Sequence, residues 1–483
     1  MGFVIKMELD ARDLRKFAFT GELSCGDISI PATISGSFYT NEPNPIRCEV
    51  SFNEKDLPPE YRPPYGPSIE LKGRYQDKDV WVLNFQPEIM SEGSWEGIAE
   101  LLIEGDLDEI DLSKCTAICS LAIPPTPLAG KLARHISRSR EKKEDITRIE
   151  WNTQLGKTRL EYSEVSGVAR QLGIHSAKVI INKCQIIIFV DSKSKGNTSL
   201  GAILERLDDN LEESLWLLSF LNRQRLNWYQ ASISTIPVDD NDDPSPTTFK
   251  ADAHRDPWLG YENRKKELVL VEFNALADGL FQRLLSEYKT SLYKGAIRQT
   301  IGLLLSTYER GYFEAKVGVI YSALEGLIHA LGADEKGDPP KIIGENLFKE
   351  LHRKLKKCIK DVLEPHGIEP GVRSKLYENL PGLNRPTTKS QILKQLKDYE
   401  LDLKNWWPDW ADIEAQLKEI LDRRNTFIHQ GKIDDFRAYR ADLIRLQALV
   451  ELLILKVLGC PNDVLVDHAF HRVRSLGKPN RKD

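Results

Sequence analysis

The stretch LDRRNTFIHQG, residues 421–431, places polar side chains in the last turns of an amphipathic helix. The apolar residues before it recur at the spacing of one buried helix face, and continuing that face by three or four residues reaches Arg424. Arg424 therefore holds a half-buried position that a leucine would normally fill. Asn425 and His429 lie four residues apart, so both project from one edge of the helix. The sequence predicts that these three side chains form one polar cluster.

Both ends of this helix carry recognisable signals. Asp409 follows Pro408 and is expected to cap the first turn, and Gly431 is expected to end the helix. The buried stripe is predicted to consist of Ile413, Leu417, Ile420 and Leu421.

The helical period continues through most of the chain after about residue 265. Residues 265–483 are therefore predicted to form an all-α bundle, in which Gly332 and Gly459 also occupy C-terminal cap positions. The predicted helices lie near residues 270–290, 292–309, 312–331, 343–362, 409–430 and 434–458.

Residues 1–235 favour short strands between turn signals. The predicted strands cover residues 17–24, 28–39, 46–52, 68–75, 79–85, 96–105, 116–123, 148–153, 158–164 and 185–191. A helix is predicted over residues 200–224, before a final strand near residue 230. The strand count indicates a β sandwich or a distorted barrel, so the fold class is α+β, with a β-rich N-terminal domain before the helical one.

An acidic, proline-containing segment separates the two halves. Residues 236–264 include the run DDNDDPSP and have no hydrophobic period, so we expect an exposed linker there.

Composition limits the classes of function. The net charge of −5 excludes a globally basic nucleic-acid binder, so any RNA contact must come from a local patch. The 7 cysteines form no CxxC pair, which indicates neither a disulfide framework nor a zinc site. No secretory signal and no apolar run long enough for a bilayer is found, so a cytoplasmic protein is expected, without membrane contact.

Two basic segments are candidates for RNA binding. The denser one lies on a predicted helix and includes Arg353, Lys354, Lys356 and Lys357. Residues 131–143 form a secondary candidate, for which a solvated charged segment is the simpler interpretation.

Two helical segments carry a resemblance to a known family. RRNTFIHQG, residues 423–431, resembles the R-N-x-x-x-H signature of HEPN-domain ribonucleases, and IYSALEGLIHALG, residues 320–332, resembles an earlier helix of that domain with Glu325 as its acid. The resemblance covers roughly residues 290–460. The β-rich half, with FTGELSCGDISIPATISGSFY at residues 19–39, resembles ApeA-type abortive-infection proteins of bacteria. An insertion near residues 378–410 departs from the family pattern.

The resemblance implies an activity. HEPN nucleases cleave RNA without a metal or cofactor, through attack of the ribose 2′-hydroxyl, and leave a cyclic phosphate and a 5′-hydroxyl. Arg424, Asn425, His429 and Glu325 would be the catalytic residues, and Arg423 would join the basic helix in binding RNA. Glu325 is expected either to pair with Arg424 or to make a local contact with His329.

Partners and alternatives follow from the same resemblance. The substrate is RNA, with tRNA as a plausible target, and the trigger is expected to derive from a phage. The motif contains one histidine and so supplies only one proton-transfer group per chain, which is why a homodimer through the HEPN half is expected. The main alternative is a noncatalytic HEPN binding module whose polar cluster seals a dimer interface. A third is a β-domain ligand-binding protein with a helical oligomerisation tail.

Overall fold

The computed structural model divides the chain into two compact units, Met1–Leu285 and Ser286–Asp483. The boundary therefore falls after the predicted linker, within the helix Phe281–Thr290. The structure describes residues 14–39, 46–57, 69–105, 109–110, 115–123, 148–153, 156–169, 177–190, 198–199, 203, 207–237, 248–255, 270–271, 275–309, 311–333, 340–401, 403 and 412–465.

The first unit begins with a closed, six-stranded antiparallel barrel. Its strands are β1 Leu14–Cys25, β2 Ile28–Tyr39, β3 Ile46–Phe52, β4 Ile69–Tyr75, β5 Lys78–Ser91 and β6 Ser94–Gly105. They are paired in the order β3-β2-β1-β4-β5-β6, and pairing between β3 and β6 closes the barrel. Of the predicted alternatives, the barrel is thus the one that forms here.

Alternation of buried and exposed side chains builds the barrel core. In β1, Phe17, Phe19, Leu23 and Cys25 are buried, while the residues between them are exposed or half-buried. This period of two is the pattern expected of a strand with one face on a core.

Close strand packing at Gly21 gives a first testable prediction. A Cβ at this position would lie 2.0 Å from the carbonyl oxygen of Lys72 on β4. Backbone atoms cannot move aside cheaply, so Gly21→Ala is expected to lower the free energy of unfolding by about 1–3 kcal/mol. Urea unfolding followed by tryptophan fluorescence measures this loss. Thr20→Ala, at the exposed neighbouring position, is the control and should change stability by only about 0.5 kcal/mol; equal losses would contradict the prediction.

A second group of strands continues from β6. Its order is β14-β13-β8-β11-β10-β9, all antiparallel, and a separate two-stranded sheet pairs β7 with β12. The helix α1, Leu207–Asn222, precedes β13 as predicted. The strands are β7 Glu109–Ile110, β8 Cys115–Ile123, β9 Arg148–Asn152, β10 Gly156–Ala169, β11 Ala177–Val190, β12 Thr198–Ser199, β13 Gln230–Pro237 and β14 Thr248–Arg255. Each predicted strand segment overlaps an observed strand, whereas the two-residue strands β7 and β12 were not predicted.

Strand β14 corrects the predicted linker. Thr248–Arg255 lies within residues 236–264, yet it is hydrogen-bonded to β6 on one side and β13 on the other. Its buried side chains at Ala251 and Ala253 are small, so the segment carries little hydrophobic signal. Pairing with two neighbouring strands, rather than its own composition, makes this segment a strand.

The cysteines of the described residues differ sharply in environment. Cys48 and Cys119 are buried, and burial raises the pKa of each thiol to about 12, whereas Cys358 is exposed. The thiolate is the reactive form, so iodoacetamide should alkylate Cys358 in the native protein and leave Cys48 and Cys119 unmodified until denaturant is added. Peptide mass spectrometry would reveal this order; modification of either buried thiol as fast as Cys358 would contradict it.

Helices make up the described part of the second unit, and the first of them is α2, Phe281–Thr290, which begins in the last residues of the first unit. No helix in the described residues is long and apolar enough to cross a membrane. The last helix has a largely buried second half, from Leu446 to Leu455. The helices are α3 Lys294–Tyr308, α4 Phe313–Gly332, α5 Glu345–Leu363, α6 Pro370–Asn379, α7 Thr388–Asp398, α8 Ile413–Gln430 and α9 Phe436–Val457.

Most helix boundaries agree with the sequence prediction, but α2 begins at Phe281 rather than near residue 270, just after a non-helical Gly279 with a φ of 92°. The short helices α6 and α7 were not predicted. In α7 only Ile392, Gln395 and Leu396 are buried, so this helix lacks a long apolar stripe. The helix α4 ends at Gly332, with Ala333 rather than the glycine as its C-cap. Gly459 follows the cap of α9 with a φ of 70°.

Candidate functional site

The helix α8 carries the predicted polar cluster, and its sequence fixes both ends. Asp412 is the N-cap and accepts a hydrogen bond from the amide of Ala415 at 3.0 Å, whereas Asp409, the predicted cap, lies outside the described residues. Gly431 ends the helix as predicted: it adopts a φ of 64°, and its amide donates to the carbonyl of Phe427. Leu417 and Ile420 are buried, whereas Ile413 and Leu421 are only half-buried.

Arg424 lies at the centre of the site. Its Nη2 donates to Oε2 of Glu325, on α4, at 2.6 Å, and its Nη1 donates to Oδ1 of Asn425 at 3.0 Å. The Arg424 side chain is 23% exposed and that of Glu325 is 32% exposed. The half-buried arginine is therefore as predicted, and of the two contacts considered for Glu325, the pair with Arg424 forms.

Asn425 and His429 lie on the exposed side of α8. They are one helical turn apart, so both side chains start from the same edge of the helix beside Arg424. Together, α4 and α8 present a partly screened guanidinium and an exposed imidazole. A guanidinium can bind phosphate oxygens, and an imidazole can transfer protons near neutral pH.

Close packing holds α4 against α8 at this site. Tyr321 of α4 donates its hydroxyl hydrogen to the carbonyl of Ile420 at 3.3 Å. Gly318 faces Phe427, and a Cβ there would lie 3.5 Å from the phenylalanine ring. Burial is the largest cause of a strongly raised pKa at Tyr321, so this hydroxyl stays protonated and serves as a donor.

Arg423, which is predicted to bind RNA, makes an ion pair within the protein. Its Nε and Nη2 donate to the two carboxylate oxygens of Asp442, on α9, at 2.7 and 2.9 Å. The hydrogen bond to Asp442 is the main cause of the raised pKa of Arg423. Arg423 thus links α8 to α9, and a contact of this residue with RNA stays a prediction. The signal for the link is Asp442 itself, an acidic residue among the buried residues of α9.

The predicted RNA-binding cations of α5 are exposed, and no residue of that helix is buried. Lys354 pairs with Glu350 at 2.7 Å, and Lys356 lies 5.5 Å from the ring centre of Tyr377 on α6. Arg353 and Lys357 have no ion pair among the described residues. The helix therefore keeps positive charge available to solvent, which is what a phosphate contact requires. Residues 131–143, the secondary basic candidate, lie outside the described residues.

Comparisons with known proteins do not identify a function, so functional information comes mainly from the site on α4 and α8. No family model, curated protein or solved structure matches the chain. The HEPN resemblance therefore stays a prediction. Within the described residues, no group of His, Cys, Asp and Glu side chains is arranged to hold a metal ion.

Proposed function

We propose that the chain is a metal-independent endoribonuclease of the HEPN type. The observation that carries the proposal is the ion pair between Glu325 and Arg424, which holds the guanidinium beside Asn425, while the exposed His429 lies one turn after Asn425 on the same helix. These are the residue types that cleavage of an RNA phosphodiester requires: a proton-transfer group and a cation for the phosphate.

The proposed reaction is an in-line displacement at phosphorus. The ribose 2′-oxygen attacks the adjacent phosphorus, and the bond from phosphorus to the 5′-oxygen breaks. A base takes the 2′-hydroxyl proton and an acid delivers a proton to the leaving 5′-oxygen, which leaves a 2′,3′-cyclic phosphate and a 5′-hydroxyl. His429 would serve as one of these two proton-transfer groups, because imidazole gains and loses a proton near neutral pH.

Arg424 would stabilise the charge that develops on the phosphate. Its planar fork can donate two hydrogen bonds to phosphate oxygens, which a single ammonium group cannot match. Glu325 holds one edge of that fork, so the guanidinium is oriented before RNA binds. Asn425 accepts from the same guanidinium and would orient it or the phosphate.

A second proton-transfer group is needed to complete the reaction. We propose that a homodimer through the helical unit places two copies of the motif across one groove, so that each chain supplies one histidine. Light-scattering mass measurements should then give a dimer under conditions in which RNA is cleaved. A stable monomer that retains cleavage would contradict this part of the proposal.

The biological setting is proposed as antiphage abortive infection, with tRNA as a plausible substrate. The β-rich unit would sense a phage-derived trigger. Overexpression in bacteria should then arrest growth, and the arrest should disappear with His429→Ala.

A noncatalytic HEPN module is the second candidate. The observation that favours it is the engagement of Arg424 by two protein side chains, which a purely structural network would also need. The two candidates predict different outcomes for purified protein incubated with total tRNA in EDTA. Fragments ending in cyclic phosphate support the nuclease. Cleavage that stops when EDTA is added contradicts the metal-independent mechanism. If the protein, after exposure to its trigger, binds RNA without cleaving it, the noncatalytic module is supported.

A further inference from the structure

The carboxylate of Asp442 is an unusual feature of α9. It lies in α9 between the buried residues Tyr439 and Leu446, and it is 1% exposed. Burial raises its pKa, although the hydrogen bond from Arg423 acts in the opposite direction. A buried carboxylate is costly unless it is paired, and here both of its oxygens accept from the guanidinium of Arg423.

A second contact from α9 reaches the backbone at the same residue. The hydroxyl of Tyr439 donates to the carbonyl oxygen of Arg423 at 2.8 Å. Asp442 and Tyr439 thus hold the side chain and the backbone of a single residue, and that residue directly precedes Arg424. The residue that these two contacts hold is therefore one peptide bond away from the proposed catalytic arginine.

Adjacent residues in an α-helix point about 100° apart, because one turn contains 3.6 residues. Arg423 and Arg424 accordingly reach different helices: Arg423 pairs with Asp442 on α9, and Arg424 pairs with Glu325 on α4. Two ion pairs in different directions restrict rotation of α8 about its own axis. The exposed positions of Asn425 and His429 depend on that rotation.

We infer that Asp442 is a positioning residue of the proposed active site, acting through Arg423 to fix the rotation of α8 that presents Asn425 and His429. The expected effect of Asp442 on the cleavage rate rests on the proposed nuclease function. The expected effect of Asp442 on the geometry of α8 is independent of that function. Arg423 and Tyr439 complete the same positioning group. Displacements of about 1 Å in a catalytic group can cost about 100-fold in rate, which sets the size of the expected effect.

The test compares two carboxylates that face the same arginine. Asp442→Asn removes the buried charge with little change in shape, whereas Glu419→Gln removes the outer partner, which is 61% exposed and 3.6 Å from Nη1 of Arg423. We expect kcat for RNA cleavage to fall about 10- to 100-fold in the first variant. In the second it should change by less than about twofold, because exposed ion pairs contribute little.

Nuclear magnetic resonance of the His429 ring separates positioning from loss of fold. Unfolding would weaken the native resonance without moving it, whereas altered rotation of α8 would shift its frequency. We expect a shift with Asp442→Asn and none with Glu419→Gln. Thermal unfolding reports the folded fraction. If Asp442→Asn does not fold, Tyr439→Phe removes only the hydroxyl contact to Arg423 and should shift the same resonance.

Opposite outcomes identify which idea fails. An unshifted His429 resonance in folded Asp442→Asn and Tyr439→Phe, or equal effects of Asp442→Asn and Glu419→Gln, would overturn the positioning role. The resonance could shift in these variants while the wild-type protein shows no cleavage that depends on His429. That combination would support the positioning role of Asp442 and reject the proposed nuclease function.

Discussion

Replacement of His429 by alanine is expected to lower the rate of RNA cleavage by about 10²- to 10⁴-fold, the range of general acid–base catalysis. The imidazole is the one side chain of the proposed cluster that can transfer protons near neutral pH. Its position on the exposed side of α8 means that its removal should leave the packing of the helix unchanged. Single-turnover cleavage of tRNA in EDTA, with the ends of the fragments identified, measures the loss.

A neighbouring residue provides the control for this substitution. Gln430 is also exposed and is the last residue of α8. Gln430→Ala should therefore retain cleavage and melt at the same temperature as His429→Ala. Full activity in His429→Ala would reject the proposed active site, and a large drop in its melting temperature would favour the structural interpretation of the cluster.

Arg424 gives the second large effect. Arg424→Ala should reduce kcat by about 10²- to 10³-fold, because a preorganised donor to the developing charge is lost. Arg424→Lys keeps the positive charge but cannot bind two phosphate oxygens with a planar fork, so it should recover only part of the activity. Cleavage rates at saturating RNA distinguish this loss from weaker binding.

Two controls for Arg424 change a different exposed arginine and the carboxylate that pairs with Arg424. Arg440→Ala removes an exposed arginine from α9 and should leave kcat unchanged apart from a small effect on binding. Glu325→Gln keeps the shape of the partner but weakens its hold on the guanidinium, so kcat should fall less than in Arg424→Ala. Full activity in Arg424→Lys would show that a point charge is sufficient and would contradict the bidentate role.

Much of the local structure could be predicted from the sequence. The strands of the first unit have a period of two, and the long helices of the second have a period of three to four. The half-buried position of Arg424 followed from the same period. Segments with few or small apolar residues were missed, among them β7, β12, β14, α6 and α7, because their formation depends on hydrogen bonds or contacts supplied by neighbours.

The site shows the same division at the level of single residues. Adjacent arginines at positions 423 and 424 look equivalent in the sequence, and both were assigned to RNA chemistry. One instead pairs with a buried aspartate on the next helix. No spacing rule reveals this, because the partner is chosen by the rotation of α8 and by which face of α9 lies against it.

Three features follow from local sequence alone: the order of a β-rich half and a helical half, the helix that carries Arg424, Asn425 and His429, and the glycine that ends it. Those features depend on side-chain period and backbone preference within a few residues. Other features depend on tertiary packing: β3 pairs with β6 to close a barrel, Glu325 pairs with Arg424, and Asp442 pairs with Arg423. These contacts join residues far apart in the chain, so they are set by how whole elements pack rather than by any local pattern.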